Sequence, residues 1–143
     1  IFYSSMTKLI LVMGLPGSGK TTLSKKLTEK LDAVWLNADE IRKKYNDWDF
    51  SEAGRLRQSL RMKDLSNSFL KKGKSVIADF ICPTPKTREN FNPDIIIWVD
   101  TIKKCKFEDT NSMFVPPEKY DLRVTTKDSE KWSSEILNLI LKR

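Results

Sequence analysis

The chain has 143 residues, 26 Lys and Arg against 19 Asp and Glu for a formal net charge of +7, two cysteines and no histidine. The missing imidazole excludes Ser-His-Asp and Cys-His catalytic pairs, His-ligated zinc or iron and a histidine proton shuttle, so acid–base work falls to carboxylates, Lys, Tyr or Cys. With 39% hydrophobic and 31% charged residues, the sequence reads as one globular domain over 1–143, and its positive balance favours anionic partners: nucleic acid, an acidic membrane surface or phosphorylated small molecules.

Residues 1–5 precede Met6 and read as a remnant of cloning, outside the fold. Lys8 to Met13 is an apolar, β-favouring run that ends at Gly14, a buried strand far too short to span a bilayer, and nothing before it has the layout of a signal peptide. Leucines at 23, 27 and 31 give Lys20 to Leu31 one buried helical stripe. Ala33 to Leu36 is a second strand and Asp39 to Tyr45 a short helix. A polar and aromatic loop, Asn46 to Ser51, leads into a long helix from Glu52 to Lys72, with Leu56, Leu60, Leu65 and Phe69 inward and Gly73 as its stop.

Ser75 to Phe80 is the third strand; Pro83 and Pro85 then break the chain. Ile95 to Val99 is the fourth strand. Thr101 to Tyr120 shows no period, contains Pro116 and Pro117, and reads as a loop or lid. Leu122 to Thr125 is the fifth strand, and Trp132, Ile136, Leu139 and Ile140 mark a closing amphipathic helix. Strands alternating with helices imply βαβ units: an α/β fold of three layers, with a parallel sheet of about five strands covered by helices on both faces. Cys82 and Cys105 are too few for a disulfide framework and lack Cys-x-x-Cys spacing, so a reducing cytoplasm is the expected compartment.

Gly14-Leu15-Pro16-Gly17-Ser18-Gly19-Lys20-Thr21 matches the phosphate-binding P-loop pattern in full, with an apolar strand before it and an amphipathic helix after it. Glycines let successive backbone N–H groups turn inward around an anion. The helix that follows presents its positive end, Lys20 reaches the β- and γ-phosphates, and the Thr21 hydroxyl ligates Mg²⁺. ATP and Mg²⁺ are therefore the expected cofactors, with Gly14 to Thr22 as the ATP-binding segment. Asp39, in Leu36-Asn37-Ala38-Asp39-Glu40-Ile41-Arg42, would face the γ-phosphate and take a proton from an attacking hydroxyl, or else cap its helix. Arg42 lies one helical turn on, able to grip an anion. Asp79 ends an apolar strand, where P-loop proteins place a Mg²⁺-organising carboxylate, and Asp100 at the end of the next strand is its rival. Arg55, Arg57, Arg61 and Arg88 are further cationic candidates.

GLPGSGKTTL, LNADEIR, DWDFSEAGR, DFICP, the VDT turn and MFVPPEKYDLRV, in this order from Leu9 to about Thr126, resemble the adenylylsulfate (APS) kinase family of P-loop kinases. The resemblance implies Asp39 as the catalytic carboxylate, which with Lys20 of the P-loop makes the expected catalytic pair. It implies Arg42 and Arg55 as grips on the phosphosulfate, Phe50 and Phe114 as a sandwich around the substrate adenine, Gln58 at a substrate-binding position, and Ile81 and Cys82 in the acceptor pocket; both phenylalanines are otherwise core packing. Asn37, Gly54, Gln58, Asp79 and Cys82 depart from the family pattern, and its long lid has no counterpart between Cys105 and Phe114.

The expected function is transfer of the γ-phosphoryl of Mg·ATP to a hydroxyl of a small anionic, nucleotide-like acceptor, with APS leading. Polynucleotide 5′-kinases resemble the same P-loop plus Asn-x-Asp-x-x-Arg layout, which makes a nucleic-acid end the second choice of partner. A nucleotide-binding regulatory module with a degenerate acceptor site is the non-enzymatic alternative.

Overall fold

In the computed structural model, which describes residues 7–142, the first strand is β1 (Leu9–Met13). Residues 1–5, read above as a remnant, lie outside the described residues. After β1 come α1 (Lys20–Leu31), β2 (Val34–Asn37), α2 (Ala38–Tyr45), α3 (Glu52–Leu70) and β3 (Val76–Asp79). The chain continues through α4 (Pro85–Phe91), β4 (Ile95–Val99), α5 (Glu108–Met113), β5 (Leu122–Val124) and α6 (Ser129–Leu141). All strand pairs are parallel, in the order β2-β3-β1-β4-β5.

The central place of β1 explains its unbroken apolar run, because a parallel strand covered on both faces has no side left for polar residues. Ile10 and Val12 join one cluster with Leu23 and Leu27 of α1 and Trp132 and Ile136 of α6. Leu9, Leu11 and Met13 point the other way and pack with Met62 of α3, Phe80 and Phe91. The alternation builds the expected three-layer α/β P-loop fold, with α1 and α6 on one face and α3 and α4 on the other. No helix among the described residues is long and apolar enough to cross a membrane.

Three local expectations are corrected. Leu60 is 48% exposed instead of inward. The buried stripe of α3 is mostly polar: Gly54, Arg55, Gln58, Ser59, Met62 and Ser66. Ser59 and Ser66 donate to the carbonyls of Leu56 and Met62, each at 2.7 Å, so these hydroxyls enter the interior without an unmet donor. Pro83 and Pro85 do not simply break the chain. Pro85 sits in the first turn of α4, where a missing N–H costs nothing, and Thr84 and Thr87 cap it reciprocally. Within the expected 101–120 loop, Glu108–Met113 is helical.

Candidate active site

The P-loop leaves the carboxyl end of β1 at Gly14, where a Cβ would lie 2.3 Å from the Val99 carbonyl oxygen of β4; only glycine fits this approach of backbone to backbone. Gly19, at φ 103°, caps α1 without a side-chain bond, and the first turn of α1 has no acidic residue. The helix end is thus left open to an anion. The loop is tied from its far side: Thr101 Oγ1 donates to Ser18 O at 2.6 Å and Lys127 Nζ to Gly17 O at 3.0 Å. Lys20 folds back so that Nζ donates to Leu15 O at 3.0 Å. Burial lowers the pKa of its ammonium, an effect opposed by the Asp79 and Asp39 carboxylates.

Asp79 is set by sheet register, in which it is paired with Asn37 of β2. Asn37 Nδ2 donates to Asp79 Oδ2 at 3.0 Å, and the Thr21 hydroxyl donates to the same oxygen at 3.4 Å. Burial pushes the Asp79 carboxyl upward, against the pull of Lys20, the Asn37 amide and the Trp35 indole. Its rival, Asp100, is engaged elsewhere: Arg123 donates to Asp100 Oδ2 from Nε at 2.9 Å and Nη2 at 2.6 Å, and Lys103 Nζ from 3.0 Å. Of the two carboxylates, only Asp79 lines the cavity described next.

At the carboxyl ends of the strands, where open α/β sheets form their crevices, lies a cavity of about 370 Å³. Gly17, Gly19, Lys20 and Thr21 form one wall, and Asp39, Arg42, Phe50, Arg55, Gln58, Ile81 and Cys82 form the other side. Asp39 stands exposed on the first turn of α2, whose cap is Asn37, with Asn37 Oδ1 accepting from Glu40 N at 3.1 Å. The capping alternative for Asp39 is therefore filled by a neighbour.

Arg42 and Arg55 are 4% and 5% exposed. Arg42 Nη1 donates to the carbonyls of Asp47 and Asp49, both at 3.1 Å. Arg55 Nε donates to Phe50 O at 2.9 Å and Nη2 to Thr110 Oγ1 of α5 at 2.7 Å. Neither guanidinium forms an ion pair among the described residues, and burial lowers the pKa of both. They lie over the Phe50 ring at 4.4 and 5.5 Å from its centroid. Gln58 reaches the cavity with its amide committed, Nε2 donating to Ala38 O at 3.1 Å and Oε1 accepting from Arg61 at 2.9 Å. Arg57 donates to both Asp47 carboxylate oxygens, at 2.9 and 3.0 Å, which clamps the loop that bears Phe50 onto α3.

Phe114 does not join Phe50 across this cavity. It packs with the apolar cluster under β1 and β3, with the Arg88 guanidinium 5.6 Å from its ring centroid. Thr22 faces a second hollow of about 90 Å³, lined also by Leu23, Val124, Lys127 and Trp132. Arg88, a cationic candidate in the sequence, is buried and donates to the carbonyls of Cys82, Pro83 and Val115. It fastens the segment after α5 to the turn after β3. The signal for it was its place four residues after the helix cap Thr84.

The AAA domain family matches residues 9–92, more than half of the chain. The chain belongs to that family. The matched part of this AAA domain contains every cavity residue named above, while Phe114 lies beyond it. Among solved structures, the chain is similar to the Mycobacterium tuberculosis APS kinase in complex with AMPPNP and APS, at TM-score 0.79 and 21% identity over 94% of this chain and 98% of that one. It is also similar to a Sinorhizobium meliloti gluconokinase, at TM-score 0.71 and 12% identity over 96% and 93% of the two chains. A shikimate kinase from Aquifex aeolicus aligns at TM-score 0.67 and 19% identity over 92% and 95%. At these identities the likeness is one of fold. No curated protein matches the chain significantly.

Proposed function

We propose that this protein is a Mg·ATP-dependent phosphotransferase acting on a hydroxyl of a small anionic acceptor. The observation that carries this reading is the composition of one cavity: the P-loop with Lys20 on one wall, and opposite it an exposed carboxylate, Asp39, beside two buried guanidiniums without ion pairs. The family membership and the kinases that share the fold support it.

Lys20 and the open N–H groups of the loop would hold the β- and γ-phosphates. The Thr21 hydroxyl and Asp79 carboxylate are the hard oxygen donors that Mg²⁺ takes alongside its waters, and they share one corner of the cavity. Bound there, Mg²⁺ supplies charge neutralisation on the transferring phosphoryl group. The hollow beside Thr22 and Lys127, which shares Gly19 with the larger cavity, would receive the nucleoside end.

Arg42 and Arg55 would hold the acceptor's anionic group, leaving its hydroxyl at Asp39. In the transfer, the acceptor oxygen bonds to the γ-phosphorus and the bond from that phosphorus to the β,γ-bridging oxygen breaks. ADP leaves, and the hydroxyl proton passes to the Asp39 carboxylate. APS is the acceptor that the sequence resemblance supplies.

A polynucleotide 5′-end is a second reading, favoured by the exposure of Tyr45, Trp48 and Phe50 beside Lys43 and Lys44, since exposed aromatics and lysines suit stacked, charged strands. A coupled ATP-consumption screen with APS, nucleosides, 5′-hydroxyl oligonucleotides and small hydroxylated anions such as glycerol 3-phosphate and glycerate tests both. Oligonucleotide binding that weakens steeply with salt would select the second. ATP binding without turnover on any acceptor of this whole set would leave a regulatory nucleotide-binding module.

A further inference from the structure

Resting on the phosphotransferase reading, we infer that the acceptor is a small hydroxylated anion without an aromatic base, its phosphate or carboxylate seated on Arg42 and Arg55. A buried cation is costly unless something answers its charge. Arg42 and Arg55 hydrogen-bond only to neutral carbonyl and hydroxyl groups, and the carboxylates that act on them, Asp47 and Asp39 on Arg42 and Asp109 on Arg55, form no ion pair with either among the described residues, so both guanidiniums stay open to the oxygens of a bound anion. The guanidinium fork keeps N–H groups beyond those already used, in the geometry that pairs with phosphate or carboxylate oxygens.

The same arrangement is poor for a base. Both guanidiniums lie over the Phe50 ring; Phe80, the other aromatic of the cavity lining, is only 6% exposed and is held edge-on to Phe91 at 5.2 Å, and the one ring partner of Phe50 among the described residues is Trp48, at 6.5 Å. Phe114 is held off by the apolar cluster, by Arg88 over its ring and by the hydrogen bond from Val115 N to Pro83 O at 2.8 Å.

The test is isothermal titration of the full chain saturated with Mg·AMPPNP, using glycerol 3-phosphate, glycerate, APS and a 5′-hydroxyl oligonucleotide, paired with ATP-consumption assays on the same compounds. We expect glycerol 3-phosphate or glycerate to bind at least tenfold more tightly than APS and to be consumed, the better of the two telling phosphate from carboxylate. Arg42→Gln and Arg55→Gln should each weaken that binding tenfold or more and leave AMPPNP affinity unchanged. Phe114→Leu, which keeps the apolar packing and removes the ring, should leave APS affinity unchanged. Tighter binding of APS or the oligonucleotide, a tenfold loss of APS affinity in Phe114→Leu, or no binding by either small anion would overturn the inference. The phosphotransferase reading fails on a different result, the absence of ATP consumption with every acceptor.

Discussion

Asn37 donates from Nδ2 to Asp79 Oδ2 at 3.0 Å while its own Oδ1 accepts from Glu40 N at 3.1 Å, so one side chain both holds the candidate metal-organising carboxylate and starts the helix that bears Asp39. The two ends are separable. Asn37→Ser keeps a capping oxygen and loses the amide; Asn37→Ala loses both. Groups that orient a ligand typically cost 10–100-fold when removed. ATP turnover is expected to fall roughly tenfold or more in both variants. Only the alanine variant should also lose about 1 kcal/mol of stability in urea unfolding. Turnover equal to wild type in Asn37→Ser would show that the amide does not position Asp79.

Gly54 sits where the loop before α3 folds back on it. A Cβ there would lie 2.2 Å from the Asp49 carbonyl oxygen, a backbone atom that cannot turn away. Gly54→Ala, ordinarily favourable in a helix, is expected to destabilise by about 1–3 kcal/mol. It should also weaken acceptor binding, because the displaced segment carries Phe50 and the carbonyls that hold Arg42. Urea denaturation and acceptor titration read the two effects separately.

Acid should loosen the same loop. Arg57 and Arg61 hold the Asp47 carboxyl far below its ordinary value of 3.8. A lowered folded-state pKa contributes stability that is complete above the ordinary carboxylate range and drains as pH falls below it toward the folded value. Asp47→Asn should therefore lower Tm at pH 7, and its deficit against wild type should narrow steadily below about pH 4. Added salt should shrink the deficit at pH 7, since Arg57 is half exposed. A deficit that stays constant from pH 7 to pH 2 would contradict the clamp.

The two thiols should differ in reactivity. Cys82 is fully buried, and its thiol is pushed up to about 12 by that burial. Cys105 is only half-buried, near α5. At pH 8 a thiol reagent should modify one cysteine in the native protein and the second only after denaturation, and Cys105→Ser should abolish the native reaction. Rapid modification of both in the native state would contradict the packing around Cys82.

The strands and α1 were legible because burial on both faces of a parallel sheet demands short apolar runs, and the P-loop is a local pattern whose physics depends on few neighbours. α3 was legible in extent but not in orientation. Its leucine spacing suggested a core face that includes Leu60, whereas the helix turns Arg55, Gln58 and Ser59 inward because one end of it walls the cavity. The pairing of Asn37 with Asp79 depends on register between strands far apart in sequence, which no local pattern encodes. α4 carried a readable signal, threonines three apart around Pro85, masked by weighing the prolines only as breakers. The Phe50 and Phe114 sandwich came from resemblance alone; the chain instead spends Phe114 on core packing, which aromatic residues do whenever a neighbouring apolar surface is available.

The central claim is that the P-loop and Asp39 divide nucleotide binding from chemistry across one cavity, and the direct measurement compares Mg·ATP affinity and single-turnover phosphoryl transfer in Lys20→Ala and Asp39→Asn. Lys20→Ala is expected to lose both. Asp39→Asn should bind Mg·ATP like wild type and transfer slower by roughly 10²- to 10⁴-fold, the usual contribution of a positioned general base. Unchanged transfer in Asp39→Asn would contradict the account.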